Sequence, residues 1–272
     1  MAGITFCTVK ADGFTMDMFR FGSGRKPFVI LPGLSIRSVM SFAEDVAAAY
    51  SPLAEEHTVY LFERRNELPE VYTVGDMARD TAEVFRQLGL KDISLFGASQ
   101  GGMMAMSIAA DYPQLVSKLI LASACSRMTT VRFSAVDEWI SFAKAGKTAE
   151  LFSAFGKAVY PEAVFESLRG TLAEAAKTVT AEELSRFVKL SEGMRGFDIT
   201  DKLADISCPT MLIASDDDKL FGAEAAMQIR EGMSDLCGFE YHMYSGCGHA
   251  VYDTAPDLKE RMRRFLAADV PR

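Results

Sequence analysis

A chain of 272 residues, 49% of them hydrophobic, is long enough to bury a substantial core as one large domain or two small ones. Its 37 acidic residues outnumber its 29 basic ones, and a net charge of -8 with no stripe of Lys and Arg argues against nucleic acid as a partner. Five scattered cysteines, odd in number and forming no CxxC pair, suggest neither a disulfide framework nor a zinc site, so no metal and no cofactor is expected.

The opening residues, Met1 to Phe6, show no basic start followed by an apolar run, which argues against a secretory leader. No stretch approaches the roughly 18 consecutive apolar residues that a membrane span needs. A cytoplasmic protein without membrane partners is the resulting expectation. Residues 4–10 and 14–21 alternate loosely around Asp12-Gly13 and read as a β-hairpin. Short apolar runs without alternation follow at 28–31, 58–62, 93–96, 116–121 and 210–214, the form taken by strands covered on both faces. Between them, Val74, Met77, Ala78, Thr81, Val84, Phe85 and Leu88 share one helix face, closed by Gly89. Residues 100–112 form a second helix of small and apolar residues, halted by Pro113. Alternating strands and helices imply a mostly parallel sheet flanked by helices, an α/β architecture.

The alternation breaks after Cys125. Residues 131–144, 148–158, 163–176 and 181–191 read as four helices in succession. A wholly helical insertion predicts a cap over one edge of the sheet, so 126–195 is assigned to a cap and 1–125 with 196–272 to the core. Strand and helix resume near Ile206, with a helix beginning near Phe221 and a last strand at 239–244.

Gly97-Ala98-Ser99-Gln100-Gly101 fits G-x-S-x-G, directly after one predicted strand and directly before one predicted helix. A one-residue turn there forces Ser99 into a strained backbone conformation and lifts its hydroxyl above the sheet. Side chains two residues either side would collide, which explains Gly97 and Gly101. The helix that follows aims its positive end and unbonded N–H groups at the hydroxyl, so the Gln100 backbone N–H is one expected donor to a developing oxyanion.

Residues 72–121, containing TVGDMARDTAEVFRQLGLKDISLFGASQGGMMAMSIAADYPQLVSKLIL, resemble the central part of α/β-hydrolase-fold enzymes, and the likeness covers most of the chain outside the cap. The resemblance implies the α/β-hydrolase fold and a catalytic triad in the order serine, acid, histidine. The family's usual G-x-x-D after the strand that follows the cap selects Asp218 from Ser215-Asp216-Asp217-Asp218, with Ser215 where glycine is usual. Asp216 and Asp217 are then read as solvent-exposed or as capping the helix near Phe221. The loop after the last strand, Ser245-Gly246-Cys247-Gly248-His249, supplies the base, His249, while His57 and His242 are read as structural. The second oxyanion donor is implied in the turn Pro32-Gly33-Leu34, where many relatives carry His-Gly; the Leu34 N–H is the candidate. Glu63-Arg64-Arg65-Asn66-Glu67 replaces a glycine-rich arginine loop common in relatives, and the sequence assigns it no role.

The expected activity is hydrolysis of a small carboxylic ester through an acyl-enzyme on Ser99. Thioester or carbon–carbon bond hydrolysis by the same triad, and a non-catalytic ligand binder, are the alternatives. Dehalogenase and epoxide-hydrolase chemistry are disfavoured because such relatives place a carboxylate where Ser99 stands. Among the cap aromatics Phe133, Trp139, Phe142, Phe152, Phe155 and Phe165, most are expected to pack rather than line a pocket. Met103, Met104 and Met128 are placed near the site, and Arg37 is a candidate anion clamp. The partner is a small molecule; the sequence does not give the oligomeric state.

Overall fold

The computed structural model describes residues 3–268. Eight strands form one sheet in the order β1-β2-β4-β3-β5-β6-β7-β8. They are β1 (Thr5–Ala11), β2 (Phe14–Phe21), β3 (Lys26–Leu31), β4 (His57–Arg65), β5 (Ile93–Ala98), β6 (Val116–Ala122), β7 (Thr210–Ser215) and β8 (Phe239–Tyr244). The β1–β2 hairpin and the β2–β4 pair are antiparallel, and every pairing from β4 onward is parallel.

Because successive strand side chains point to opposite faces, the central strands feed two cores. Val29, Leu31, Leu95, Leu119 and Leu121 join one core with residues of α2 (Val74–Gln87), α3 (Gln100–Asp111) and α8 (Ala223–Gly232). Phe28, Ile30, Phe96 and Ile120 join the other with residues of α1 (Ala43–Ala49), α9 (Val251–Thr254) and α10 (Leu258–Ala267). Double burial is why these strands read as unbroken apolar runs. Helix α2 begins in a capping box, Thr73 accepting from the Asp76 N–H while Asp76 accepts from the Thr73 N–H.

Between β6 and β7 run α4 (Thr130–Lys144), α5 (Thr148–Val159), α6 (Glu162–Thr178) and α7 (Ala181–Glu192). The two ends of this insertion meet at a neck. Arg127 and Asp198 pair as a β-bridge and as an ion pair at 3.2 Å. The Met128 N–H donates to the Phe197 carbonyl, and the Ile199 N–H to that of Ser126. Helix α7 is also tied to the strand layer, since Arg186 donates to the carbonyls of Arg64, Arg65 and Asn66.

One expectation is corrected here. Glu63, Arg64 and Arg65 are not a loop but the end of β4, with Glu63 and Arg64 buried. Helices α1, α9 and α10 lie outside the elements expected from sequence. Residues 1, 2 and 269–272 of the assigned core fall outside the described residues.

Candidate active site

Every candidate residue stands beyond the C-terminal end of a parallel strand, on one edge of the sheet: Leu34 after β3, Ser99 after β5, Asp218 after β7 and His249 after β8. Ser99 has φ +52° and ψ -119°, a conformation that side-chain-bearing residues rarely adopt. Its own N–H donates to the Ala122 carbonyl, and its carbonyl accepts from Gly102 and Met103, so the turn is fixed from both sides. A Cβ on Gly101 would sit 2.0 Å from the Leu31 carbonyl oxygen, and one on Gly97 would sit 2.4 Å from the Gly101 oxygen. Helix α3 therefore packs against β3 and β5 only with glycine at both positions.

The structure joins Ser99, His249 and Asp218 in one hydrogen-bonded chain. His249 Nε2 lies 2.8 Å from Ser99 Oγ, and Nδ1 lies 2.9 Å from Asp218 Oδ2. An ionised Asp218 only accepts, so Nδ1 carries the ring proton and Nε2 is left to accept from the serine hydroxyl. The three side chains are buried, His249 at 2% exposure. Phe221 meets the imidazole edge-on at 4.8 Å. Burial alone would push the Asp218 carboxyl up. The His249 ring, through its charge and its hydrogen bond, outweighs this together with the N–H groups of Phe221 and Leu220, and holds the carboxyl below its usual range.

Asp216 and Asp217 are not merely exposed or helix-capping. Asp217 Oδ1 accepts from the Gly248 N–H at 2.8 Å and from Ser215 Oγ, whose oxygen in turn accepts from the Cys247 N–H at 3.1 Å. Asp216 accepts from Ser245 Oγ at 2.7 Å. Together they pin the loop that carries His249; the N–H groups of Leu220 and Phe221 donate to Asp218 Oδ1 within a turn, and α8 begins only at Ala223, without a side-chain cap. The serine at 215, where glycine is usual in the resemblance, is thus part of the fixation of that loop.

Gly33 and Leu34 line the cavity at Ser99, and a Cβ on Gly33 would lie 3.2 Å from that of Ser99. Among the described residues, the N–H groups of Leu34 and Gln100 donate to no protein acceptor. An uncommitted N–H on the turn that lines the cavity and another on the residue after Ser99 can stabilise negative charge on a carbonyl oxygen attacked there.

The cavity has about 20 Å³ of free space and is walled by Val136, Trp139, Phe155, Val159, Leu220 and Phe221. That space holds little more than a water molecule. Of the expected aromatics, Trp139 and Phe155 line it; Phe133, Phe142, Phe152 and Phe165, like Met103, Met104 and Met128, do not. Leu220, Phe221 and Met194 were not anticipated, although Leu220 and Phe221 directly follow Asp218. Arg37 does not reach this cavity; it pairs with Glu183 at 3.3 Å beside a second cavity behind the Gly33 turn. His57 is buried against the Leu53 carbonyl, and His242 lies between Glu240 and Arg261, both away from Ser99.

Among the described residues no group of His, Cys, Asp and Glu is arranged to hold a metal ion, and no helix is long and apolar enough to cross a membrane. Known proteins agree with this architecture. "Putative carbamate hydrolase RutD" of Agrobacterium fabrum is 26% identical over 205 residues, 74% of this chain and 77% of its own. A 2-hydroxy-6-oxononadienedioate/2-hydroxy-6-oxononatrienedioate hydrolase of a Pseudomonas species is 27% identical, covering 71% of this chain and 69% of its own. The alpha/beta hydrolase MGS-M2 from a deep-sea metagenome superposes with a TM-score of 0.84 at 19% identity, over 97% of this chain and 98% of that one. The profile of the alpha/beta hydrolase family matches residues 28–259, and with the fold it establishes that this chain belongs to the alpha/beta hydrolase family.

Proposed function

We propose that the protein is a serine hydrolase that cleaves a small, uncharged carboxylic ester through an acyl-enzyme on Ser99. The observation that carries this reading is the unbroken Ser99–His249–Asp218 hydrogen-bonded chain, with two uncommitted N–H groups beside the hydroxyl. In this reading His249 Nε2 takes the serine proton as Oγ attacks the ester carbonyl. Asp218 keeps the ring in the required tautomer and stabilises the imidazolium. The N–H groups of Leu34 and Gln100 hold the oxyanion. His249 then returns its proton to the leaving alcohol, and the same steps with water release the acid.

The cavity lining favours a neutral acyl group: among the described residues, His249 and Tyr252 are its titratable side chains, and no Lys or Arg lines it. A substrate with a carboxylate on its acyl part would leave that charge unpaired, which weighs against a dioate substrate like that in the name of the Pseudomonas relative. In this reading the insertion of residues 126–195 acts as a cover over Ser99, the substrate is the partner, and the setting is cytoplasmic, in keeping with the odd, scattered cysteines.

A fluorophosphonate probe should label the protein once per chain, at Ser99 by peptide mapping. Ser99→Ala should lose both labelling and p-nitrophenyl ester turnover, by about 10⁴-fold or more, while unfolding at nearly the parental temperature. Labelling elsewhere, or undiminished turnover in the variant, would remove Ser99 from the mechanism.

A further inference from the structure

The end of β4, to which the sequence assigned no role, holds both oxyanion segments. Arg64 is 2% exposed, and its Nη2 donates to the Pro32 carbonyl at 2.7 Å and to Gln100 Oε1 at 2.8 Å. Pro32 opens the turn that bears the Leu34 N–H, and Gln100 bears the other candidate donor. The adjacent Glu63 fastens the far end of the same segment, accepting from Ser38 Oγ at 3.0 Å and from the Val39 N–H at 3.1 Å. Two consecutive residues of one strand thus bracket residues 32–39.

The chemistry of this bracket is unusual for a buried cation. The direct acceptors of the Arg64 guanidinium are a carbonyl and an amide, both neutral, and its Nε is buried without a partner. The neighbouring Glu63 carboxylate is engaged by Ser38, Val39 and the Arg64 backbone N–H, with the Arg186 guanidinium at 3.7 Å. Burying a guanidinium against neutral dipoles is costly, so a purely structural link would be better served by an uncharged side chain. A positive charge held behind two oxyanion donors in a region of low dielectric favours negative charge forming between them. The link also extends to the insertion, because Gln100 Nε2 donates to the Leu190 carbonyl of α7 at 2.8 Å.

We propose that Arg64 is a positioning residue for the Ser99 centre, clamping Pro32 to Gln100 so that the Leu34 and Gln100 N–H groups keep the spacing an oxyanion requires, with Gln100 relaying the same clamp to α7. This rests on the serine-hydrolase reading, and Ser99→Ala tests that reading separately.

The experiment compares Arg64→Lys, Arg64→Met and Gln100→Met with the parent on one p-nitrophenyl ester. Lysine keeps the charge but cannot reproduce the two-acceptor grip, and methionine loses both. Arg64→Met should lower kcat by about 10- to 100-fold with KM within about threefold, because only the transition state places charge at the donors. Arg64→Lys should fall between parent and methionine variant. The rate of fluorophosphonate inactivation should drop in parallel. Millimolar guanidinium added to Arg64→Ala should restore part of the lost kcat, which a merely structural role does not explain. Arg64 variants that melt with the parent and keep kcat within twofold would overturn the proposal, as would a loss carried by KM alone. Where the Arg64 variants do not fold, Gln100→Met decides: it removes one acceptor and leaves the backbone N–H, and an unchanged kcat would sink the clamp. Stoichiometric labelling of Ser99 alongside unaffected variants would reject the clamp while leaving the serine reading intact.

Discussion

Asp216, Asp217 and Asp218 are consecutive, yet each holds something different, and substitution separates them. Asp218→Asn removes the acceptor that fixes the His249 tautomer, so kcat should fall by about 10³- to 10⁴-fold. Asp217→Ala frees the Gly248 N–H and the Ser215 hydroxyl, which loosens the loop; a loss of about tenfold in kcat and about 1–2 kcal/mol in stability is expected. Asp217→Asn retains an acceptor oxygen and should lose less than Asp217→Ala. Burial raises the Asp217 carboxyl, but the Ser215 hydroxyl and the N–H of Gly248 outweigh it and hold the group below its usual range. A carboxylate depressed in the fold stabilises it above the unfolded value and loses that contribution as pH falls through the folded value. The gap between parent and Asp217→Ala in urea unfolding should therefore be full at pH 7 and shrink below about pH 4. A gap unchanged at low pH would mean that Asp217 acts through packing, not charge. Ser99, Asp218 and His249 were legible because each follows a recognisable strand at a fixed offset. Glu63 and Arg64 were not, since hydropathy ends a strand at the first charges and cannot tell that these are buried.

At the scale of elements, glycines report where one backbone lies on another. Gly101 and Gly170 both lie within helices, but only Gly101 belongs to the G-x-S-x-G turn. The Cβ of Gly101→Ala would meet the Leu31 carbonyl oxygen at 2.0 Å and that of Pro32 at 2.6 Å, so α3 must lift away from β3. That variant should lose several kcal/mol and its Ser99 reactivity together. Gly170, in the interior of α6, has open space at the same position. Gly170→Ala should stabilise by about 0.5–1 kcal/mol through helix propensity, with labelling of Ser99 unchanged. Thermal melts of the two variants check both signs; a destabilised Gly170→Ala would show that α6 is packed there by something the structure does not contain. The strands and the four insertion helices were legible to within a few residues, because double burial and 3.6-residue periodicity leave strong patterns. Helix α1 was not, as Ala43–Ala49 is short and buries only Ala43. Helix α10 does carry the spacing, with Leu258, Met262, Phe265 and Leu266 buried, but it bears no motif and no strand follows it among the described residues.

For the whole molecule, the question is how a substrate reaches Ser99, which is 7% exposed beside a cavity walled by residues of α4 and α5. No local pattern encodes how closely an insertion settles on a distant turn, so the tightness of this packing was not legible. The contacts that set it join segments far apart in the chain: the Ala250 N–H to the Val159 carbonyl at the end of α5, and Gln100 to Leu190 in α7. About 20 Å³ of free space is less than a short acyl group fills, so under the proposed ester hydrolysis the cavity wall repacks when substrate binds. Trp139 is the chain's single tryptophan, is 2% exposed, and stands in that wall 4.8 Å from Phe155. Its fluorescence therefore reports this wall and nothing else in the protein. Emission should be that of an apolar site in the resting enzyme. Stoichiometric phosphonylation of Ser99 adds a group larger than the cavity and should shift emission to the red and raise acrylamide quenching in step with labelling. Ser99→Ala, treated identically, should show neither change. Emission and quenching that stay constant through complete labelling would mean that the new group leaves the cavity away from Trp139, and access would then have to be sought on the side of Leu220 and Phe221.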